Sequence, residues 1–265
     1  IKTTSNVMLA AMLGFMRSSD LVQEIDYILR QAQVNVLIVK SSHKYLNVLN
    51  NLIPDLHSHH PGHMDWEGLP QLRHIVTLGQ ESQPALWSWD DVKRLGAVVS
   101  AEAFAARRAA CHPDDVINIQ YTSGTTGVPK GAMLTHRNLV SNAFLVTDCL
   151  ALGADDRLCL PVPLFHCFGC VMGTLGCLVR GAALIMPGDY FDALNTLRAI
   201  EQERCTAIYG VPAMFIAELS DARLPSFDLT SLRTGIMAGS PCPLALTRRV
   251  VAEMGVRELT IAYGL

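Results

Sequence analysis

The sequence has little charge and no long apolar run. All its apolar stretches are shorter than the roughly 18 residues that a membrane-spanning helix needs, which excludes a transmembrane segment of that kind. Charged residues make up 17% of the 265 residues and hydrophobic residues 50%, a balance that excludes a disordered chain. Basic residues are not in excess, since 21 Lys and Arg oppose 24 Asp and Glu. We therefore expect no nucleic-acid partner and a globular chain long enough for two packed lobes.

The eight cysteines lack the spacing of a zinc site. Cys167 and Cys170 form a C-x-x-C pair, but no second such pair accompanies them. A redox role for this pair is disfavoured, because the thioredoxin-like context of that motif is missing. Most of the cysteines lie in or beside apolar runs, so we predict buried, reduced thiols. That prediction indicates an intracellular protein, either cytoplasmic or in the mitochondrial matrix.

Two alternatives stay open for short segments. Four histidines, His57, His59, His60 and His63, lie in a Pro- and Gly-rich loop over 54–71. Metal binding there is the alternative to a solvated loop, which is favoured because no regular element fixes the geometry of the histidines. The apolar run over 7–16 is as long as the core of a secretion signal. A buried strand or helix is favoured over that alternative, because no small-residue cleavage site follows the run.

The hydrophobic pattern predicts an α/β fold with parallel sheets. β-Branched apolar runs alternate with helical patterns of about a dozen residues, which is typical of βαβ crossovers. We expect two lobes, over 1–155 and 156–265. In the first lobe, strands are expected at 34–39, 74–78, 117–121 and 131–135, and helices from 21 and at 101–110 and 137–150. In the second, strands are expected at 157–161, 183–187, 206–210, 233–238 and 258–263, and helices at 168–179, 191–203, 212–220 and 243–254.

The segment 121–131 is rich in glycine and hydroxyl side chains. Its glycines allow a tight turn whose successive N–H groups form an anion-binding nest, and a lysine adds a positive charge. It is not a Walker A loop, because Gly131 stands where that motif requires Ser or Thr. An ordinary Gly-rich hairpin is the alternative to a polyphosphate site. The candidate phosphate-binding residues are Thr122, Ser123, Gly124, Thr125, Thr126, Gly127 and Lys130.

Four motifs, in order along the chain, resemble those of the adenylate-forming (AMP-binding) acyl-CoA synthetases. The first is the loop above, and the others begin at Pro163, Met237 and Ala262. These three read Pro-Leu-Phe-His-Cys-Phe-Gly, Met-Ala-Gly-Ser-Pro and Ala-Tyr-Gly-Leu. Segments 117–120 and 208–212 are similar to those of the medium-chain members. The resemblance implies two parallel-sheet α/β lobes of that family's N-terminal domain, incomplete at both ends.

The resemblance also implies a chemistry and residue roles. Members activate a carboxylic acid with ATP, giving acyl-AMP and pyrophosphate, and then transfer the acyl group to coenzyme A. The implied substrates and cofactors are a fatty acid, ATP, Mg²⁺ and coenzyme A. The implied adenine-side residues are Gly239, Ser240, Pro241, Tyr263 and Gly264, and the implied acyl-pocket residues are His166, Phe165 and Met237. A core position is the alternative for His166, and Met214, Phe215, Met237 and Cys242 suit either pocket or core.

The resemblance further implies that this chain is a fragment. In the family, the motif at Ala262 continues with a Thr and a Mg²⁺-holding Glu, and the Lys for adenylation comes later still. We therefore expect no catalytic residue and no metal ligand within 1–265, and no acyl-CoA formation by this chain alone. Besides a ligase, a catalytically inactive nucleotide-binding remnant stays open. An unrelated phosphate-binding α/β protein would require the other three motifs to be accidental.

Overall fold

The fold is described by a computed structural model over residues 21–62, 68–79, 84–122 and 129–264. The chain divides into two units, one up to His136 and one from Arg137. The sequence placed this division after residue 155. Helix α5 (His136–Cys149) groups with the second unit because Arg180 lies over the Phe144 ring at 3.9 Å and donates to the Thr147 hydroxyl at 2.8 Å. The division of the chain into two functional lobes stays a prediction.

The first unit contains a three-stranded parallel sheet in the order β1-β2-β3. Helices α1 and α2 supply apolar side chains to its core, including Ile25, Leu29 and Leu49. The strands expected at 34–39 and 74–78 are confirmed, whereas α2, β3 and α3 were not predicted. The bounds are α1 Leu21–Gln31, β1 Val36–Lys40, α2 His43–Leu52, β2 His74–Leu78, β3 Trp87–Ser88, α3 Trp89–Ala97 and α4 Ala101–Ala109.

The first unit also carries an antiparallel pair, β4 (Val116–Thr122) and β5 (Lys130–Thr135). Only residues 123–129 separate these two strands. A parallel pair would need a crossover of a dozen or more residues, so the short connection dictates a hairpin.

The second unit is built on a five-stranded parallel sheet in the order β10-β9-β8-β6-β7, which confirms the predicted α/β alternation. Buried side chains such as Leu197, Ile208 and Val250 form its core. The strands are β6 Arg157–Cys159, β7 Ala183–Ile185, β8 Ala207–Gly210, β9 Thr234–Met237 and β10 Glu258–Ile261. A π-helix spans Phe168–Leu175, and the α-helices are α6 Gly176–Arg180, α7 Ala193–Glu203, α8 Pro212–Leu219 and α9 Leu244–Met254.

A polar cluster joins the amino ends of the central strands. Asp156, 8% exposed, accepts hydrogen bonds from the Arg233 guanidinium at 2.7 Å and the Thr206 hydroxyl at 2.6 Å. Burial opposes ionisation of Asp156, yet these bonds and one from the Gly153 N–H hold its pKa below the usual value. The cluster therefore fixes the edge of the sheet from which the strands begin.

All eight cysteines are free, but they are not all buried. Cys159, Cys177 and Cys205 are buried as predicted, whereas Cys111, Cys149 and Cys167 are exposed and contradict the prediction. Cys149 illustrates the reason, because a residue in an apolar stretch of helix can still lie on the outer face. Among the described residues, no helix has the length and apolar character to cross a bilayer.

Candidate functional site

The two ends of the candidate phosphate loop are paired across the hairpin. Thr122, the last residue of β4, lies opposite Lys130, the first residue of β5, and both are exposed. A hydroxyl and an ammonium group therefore stand together at the stem of the loop. The remaining candidates of this loop lie outside the described residues; they are Ser123, Gly124, Thr125, Thr126 and Gly127.

Gly131, next to Lys130, is covered by an aromatic ring. A Cβ atom at this position would lie 2.8 Å from Ile119 Cγ2 and 3.1 Å from Tyr121 Cζ. Tyr121 is the direct cross-strand partner of Gly131. The glycine thus has a packing role, since a larger residue would push β5 and Lys130 away from β4.

The other three motifs leave one edge of the five-stranded sheet. Because the strands are parallel, the carboxyl ends of β6, β8, β9 and β10 lie along the same edge. The motif at Pro163 follows β6, the motif at Met237 ends β9, and the motif at Ala262 follows β10. From β6 the strand order runs to β7 on one side and to β8, β9 and β10 on the other. This switch point between β6 and β8 is the position where open α/β sheets bind ligands.

A left-handed turn at Gly239 opens the adenine-side motif. The Ala238 N–H donates to the Gly210 carbonyl at 3.2 Å, which ties the start of this turn to β8. Gly239 has φ +85°, and a Cβ there would lie 3.0 Å from Val211 Cγ1. Both the conformation and the space therefore favour glycine at this position.

The remaining adenine-side candidates are accessible at the same edge. Ser240, Pro241 and Gly264 are exposed, and Tyr263 is 89% exposed. Strand β10, which leads to Tyr263, pairs with β9, and the Ala262 N–H donates to the Met237 carbonyl at 3.2 Å. The structure thus brings the two adenine-side motifs to neighbouring strand ends and offers an aromatic face for stacking.

His166 lies in a tight turn and is exposed, so it is not a core histidine. Its Nδ1 accepts a hydrogen bond from the Phe168 N–H at 3.1 Å, so in the neutral ring Nε2 carries the hydrogen. The Cys167 Sγ lies 3.6 Å from the same Nδ1. Burial raises the pKa of both Cys167 and Cys170, which leaves neither as a ready thiolate.

The turn that carries His166 depends on Gly169. A Cβ at Gly169 would lie 2.2 Å from the Pro163 carbonyl oxygen, so only glycine fits. Next to it, the buried Phe168 ring stacks on Tyr209 of β8, with ring centroids 5.4 Å apart and 15° between the planes. The π-helix that begins at Phe168 is a rare conformation that often occurs at functional sites.

The candidate acyl-pocket residues differ in exposure. Met237 and Phe215 are fully buried in the core of the second unit, and the Phe215 ring would contact a Cβ at Gly210 at 2.9 Å. Phe165 and Met214 are half-buried. Cys242, also half-buried, donates from its Sγ to the Ser240 carbonyl at 3.3 Å. The acyl-pocket role of these side chains stays a prediction.

The sequence did not predict one contact to the stem of the candidate phosphate loop. The Tyr27 hydroxyl on α1 donates to the carbonyl of Pro129, the residue before Lys130, at 3.2 Å. The two residues are 102 positions apart, and no local pattern in the sequence connects them.

The comparison with protein families gives a match over nearly the whole chain. Residues 16–265 match the model of the family described as "AMP-binding enzyme".

Two curated relatives illustrate the match. The putative acyl-CoA synthetase YngI of Bacillus subtilis is 43% identical over 97% of this chain and 47% of its own length. The mitochondrial medium-chain acyl-CoA ligase ACSF2 of Danio rerio is 39% identical over 92% of this chain and 41% of its own length. This chain thus spans less than half the length of these relatives.

A solved structure gives the same result for the fold. The anthranilate CoA ligase AuaEII, in complex with anthranoyl-AMP, superposes with a TM-score of 0.74 at 27% identity. The superposition covers 92% of this chain and 43% of that structure. Both the sequence and the fold therefore make this chain a member of the AMP-binding enzyme family and, within it, of the acyl-CoA synthetases.

Proposed function

We propose that this chain is the nucleotide- and acid-binding part of a fatty acid–CoA ligase. The enzyme would join a fatty acid to the α-phosphate of ATP, release pyrophosphate, and transfer the acyl group from acyl-AMP to coenzyme A. The observation that carries the proposal is the carboxyl edge of the parallel sheet. Three features lie at the carboxyl ends of its strands: an exposed His166 after β6, the left-handed turn at Gly239 after β9, and an exposed Tyr263 after β10.

The residues suit the charges of this reaction. A carboxylate attacks the α-phosphate only when the negative charge of the triphosphate is offset, and Lys130 with the N–H groups of its loop would do this for the β- and γ-phosphates. Tyr263 would stack on the adenine, and the turn at Gly239 would let the backbone approach it closely. His166 would lie between the acid and the nucleotide, where Nε2–H can donate to a carboxylate oxygen.

The residues present fit ATP better than they fit a protein-held metal. Within the described ranges, no group of three His, Cys, Asp or Glu side chains could hold a metal ion. Mg²⁺ commonly binds through substrate phosphates and water with one or two carboxylates. We therefore propose that Mg²⁺ binds this chain through the phosphates of ATP, where it would offset their charge.

The second candidate function is a nucleotide-binding remnant without ligase activity. Both candidates share the nucleotide-binding residues, and they differ in whether a fatty acid is activated. We propose an intracellular location for either function, cytoplasmic or mitochondrial; the name of the zebrafish relative includes "mitochondrial". The proposed partners are small molecules, namely the fatty acid, ATP and coenzyme A.

Calorimetric titration with ATP and Mg²⁺ tests the shared part of both candidates. We expect Lys130→Ala to weaken ATP binding about ten- to hundredfold, because a charge-assisted contact to phosphate is lost. Lys93→Ala is the matched control, since Lys93 is an exposed lysine of α3 that pairs with Asp90. Equal affinity in wild type and Lys130→Ala would contradict the phosphate role of the loop.

Pyrophosphate release tests whether this chain is active by itself. Release from ATP that depends on a medium-chain fatty acid and disappears in Lys130→Ala would favour the ligase and contradict the expectation that this chain alone forms no acyl-CoA. ATP binding without acid-dependent release fits both candidates. If the chain showed neither ATP binding nor pyrophosphate release, both candidates would be overturned.

A further inference from the structure

We infer that Tyr27 is a positioning residue for the nucleotide phosphates, acting through Lys130; this inference rests on the proposed function. Tyr27 lies on α1, far from the loop in sequence, and contacts the stem of the loop through a backbone carbonyl. None of the four motifs contains it.

The contact is a short chain of hydrogen bonds. The Gln31 amide, one helical turn after Tyr27, donates to the Tyr27 hydroxyl at 2.7 Å. That hydroxyl donates to the Pro129 carbonyl at 3.2 Å. The hydroxyl thus serves as acceptor and donor at once, which fixes its hydrogen toward Pro129.

The carbonyl of Pro129 is an effective point of attachment. It belongs to the same planar peptide as the Lys130 nitrogen, so a bond to the carbonyl orients the backbone from which the lysine side chain departs. The proline ring fixes φ of residue 129, which removes one of the rotations that would otherwise uncouple this peptide from the chain before it. Lys130 also closes the hairpin opposite Thr122.

Packing holds Tyr27 itself in place. Tyr27, Ile119 and Tyr121 all pack against the core of the first unit, where Ile25 and Leu29 of α1 are buried. Burial, and with it the neighbouring Tyr27, raises the pKa of Tyr121. Tyr27 thus connects α1 with the hairpin through its hydroxyl to Pro129, while the neighbouring Tyr121 packs its ring over Gly131 within the hairpin.

The test removes only the hydroxyl. We expect Tyr27→Phe to weaken binding of ATP with Mg²⁺ about three- to tenfold in calorimetry, because the Pro129 peptide is no longer held in place before ATP binds; the free energy of one hydrogen bond sets the upper limit. The melting temperature should stay near that of the wild type, because the ring and its packing are kept. Tyr190→Phe is the matched control, since Tyr190 is 83% exposed and belongs to the second unit.

A double variant tests whether Tyr27 acts through Lys130. If it does, Tyr27→Phe added to Lys130→Ala should cause no further loss of affinity, because the group being oriented is already gone. If the losses of affinity from the two substitutions multiply, the inference is overturned. It is also overturned if Lys130→Ala weakens ATP binding but Tyr27→Phe and Tyr190→Phe have equal affinities. A wild type that does not bind ATP would overturn the proposed function and the inference with it.

Hydrogen exchange provides a readout without nucleotide. Tyr27→Phe should speed exchange at the backbone amides of 130 and 131 and leave those of β9 in the second unit unchanged. Unchanged exchange at 130 and 131 would contradict the anchoring role even if affinity fell. Should Tyr27→Phe fail to fold, Gln31→Leu, at an exposed position, removes the donor to the same hydroxyl and should act in the same direction.

Discussion

Glu218 of α8 is a deeply buried acid. It is 1% exposed, and neither carboxylate oxygen has a hydrogen-bond partner among the described residues. Burial raises its pKa to about 8. Glu218 lies near the Cys159 thiol on β6. The pKa of that thiol is raised by Cys205, by burial and by Glu218. The folded chain therefore holds Glu218 in its neutral form at neutral pH.

This raised pKa predicts a pH dependence of stability. Above the ordinary glutamate pKa of about 4.3, the unfolded chain loses a proton that the folded chain keeps. The free energy of unfolding should therefore fall between about pH 4.5 and pH 8, by at most about 1.4 kcal/mol per pH unit, and level off above that range. Glu218→Gln and Glu218→Met should remove this slope in urea unfolding. Glu253→Gln, at an exposed and paired carboxylate, is the control; equal slopes in all the variants would contradict the prediction.

Gly239 predicts a second effect at the scale of one residue. Gly239→Ala should destabilise the chain by about 1–2 kcal/mol because a Cβ is unfavourable at positive φ, with an added cost from the approach to Val211. Gly255→Ala is the matched control: its φ is +78°, but the nearest atom to a Cβ lies 4.0 Å away. We expect Gly239→Ala to weaken ATP binding as well, whereas Gly255→Ala should change stability alone. Equal ATP affinities for the two variants would contradict the role of this turn.

At the scale of elements, the strands of the second unit and most of its helices could be predicted from the sequence. The run Ala207–Gly210 has no charged side chain and is buried at every position, as expected for a strand buried on both faces, and such runs alternate with helical patterns. In the first unit, α2 and α3 could not be predicted in this way. Helix α3 buries no residue, and α2 mixes asparagines with its leucines, so the apolar signal of both helices is weak.

The polar cluster at the amino ends of the strands predicts a stability effect for Arg233. Arg233→Met leaves the buried Asp156 without its main donor, and we expect a loss of about 1–3 kcal/mol in urea unfolding. The loss should shrink as the pH falls through the depressed pKa of Asp156, because the protonated acid no longer needs the arginine.

Arg204→Gln is the control for this prediction. It breaks an ion pair with Asp228 in which both side chains are about half exposed, and such pairs contribute about 0–1 kcal/mol. A loss for Arg233→Met no larger than for Arg204→Gln would contradict the role of the cluster.

At the scale of the whole molecule, the motifs identified the family and the candidate site. They did not identify the tertiary contacts that hold the site residues in place. His166, Gly239 and Tyr263 stand out in the sequence because each belongs to a short motif. The Tyr27–Pro129 contact and the packing of Tyr121 over Gly131 depend on the tertiary fold. A sequence pattern reports on neighbours in the chain, so contacts across 102 positions are outside its reach.

The distribution of the core predicts that the second unit folds by itself. The buried clusters around Ile208 and around Leu158 draw all their members from residues beyond 136, and the cluster around Ile75 draws its members from residues before 137. A chain of residues 137–265 keeps all five parallel strands together with the Asp156–Arg233 cluster. We expect it to unfold in urea in one cooperative transition and to keep the pH slope that Glu218 produces. A broad transition without that slope would indicate that the second unit requires the first in order to fold.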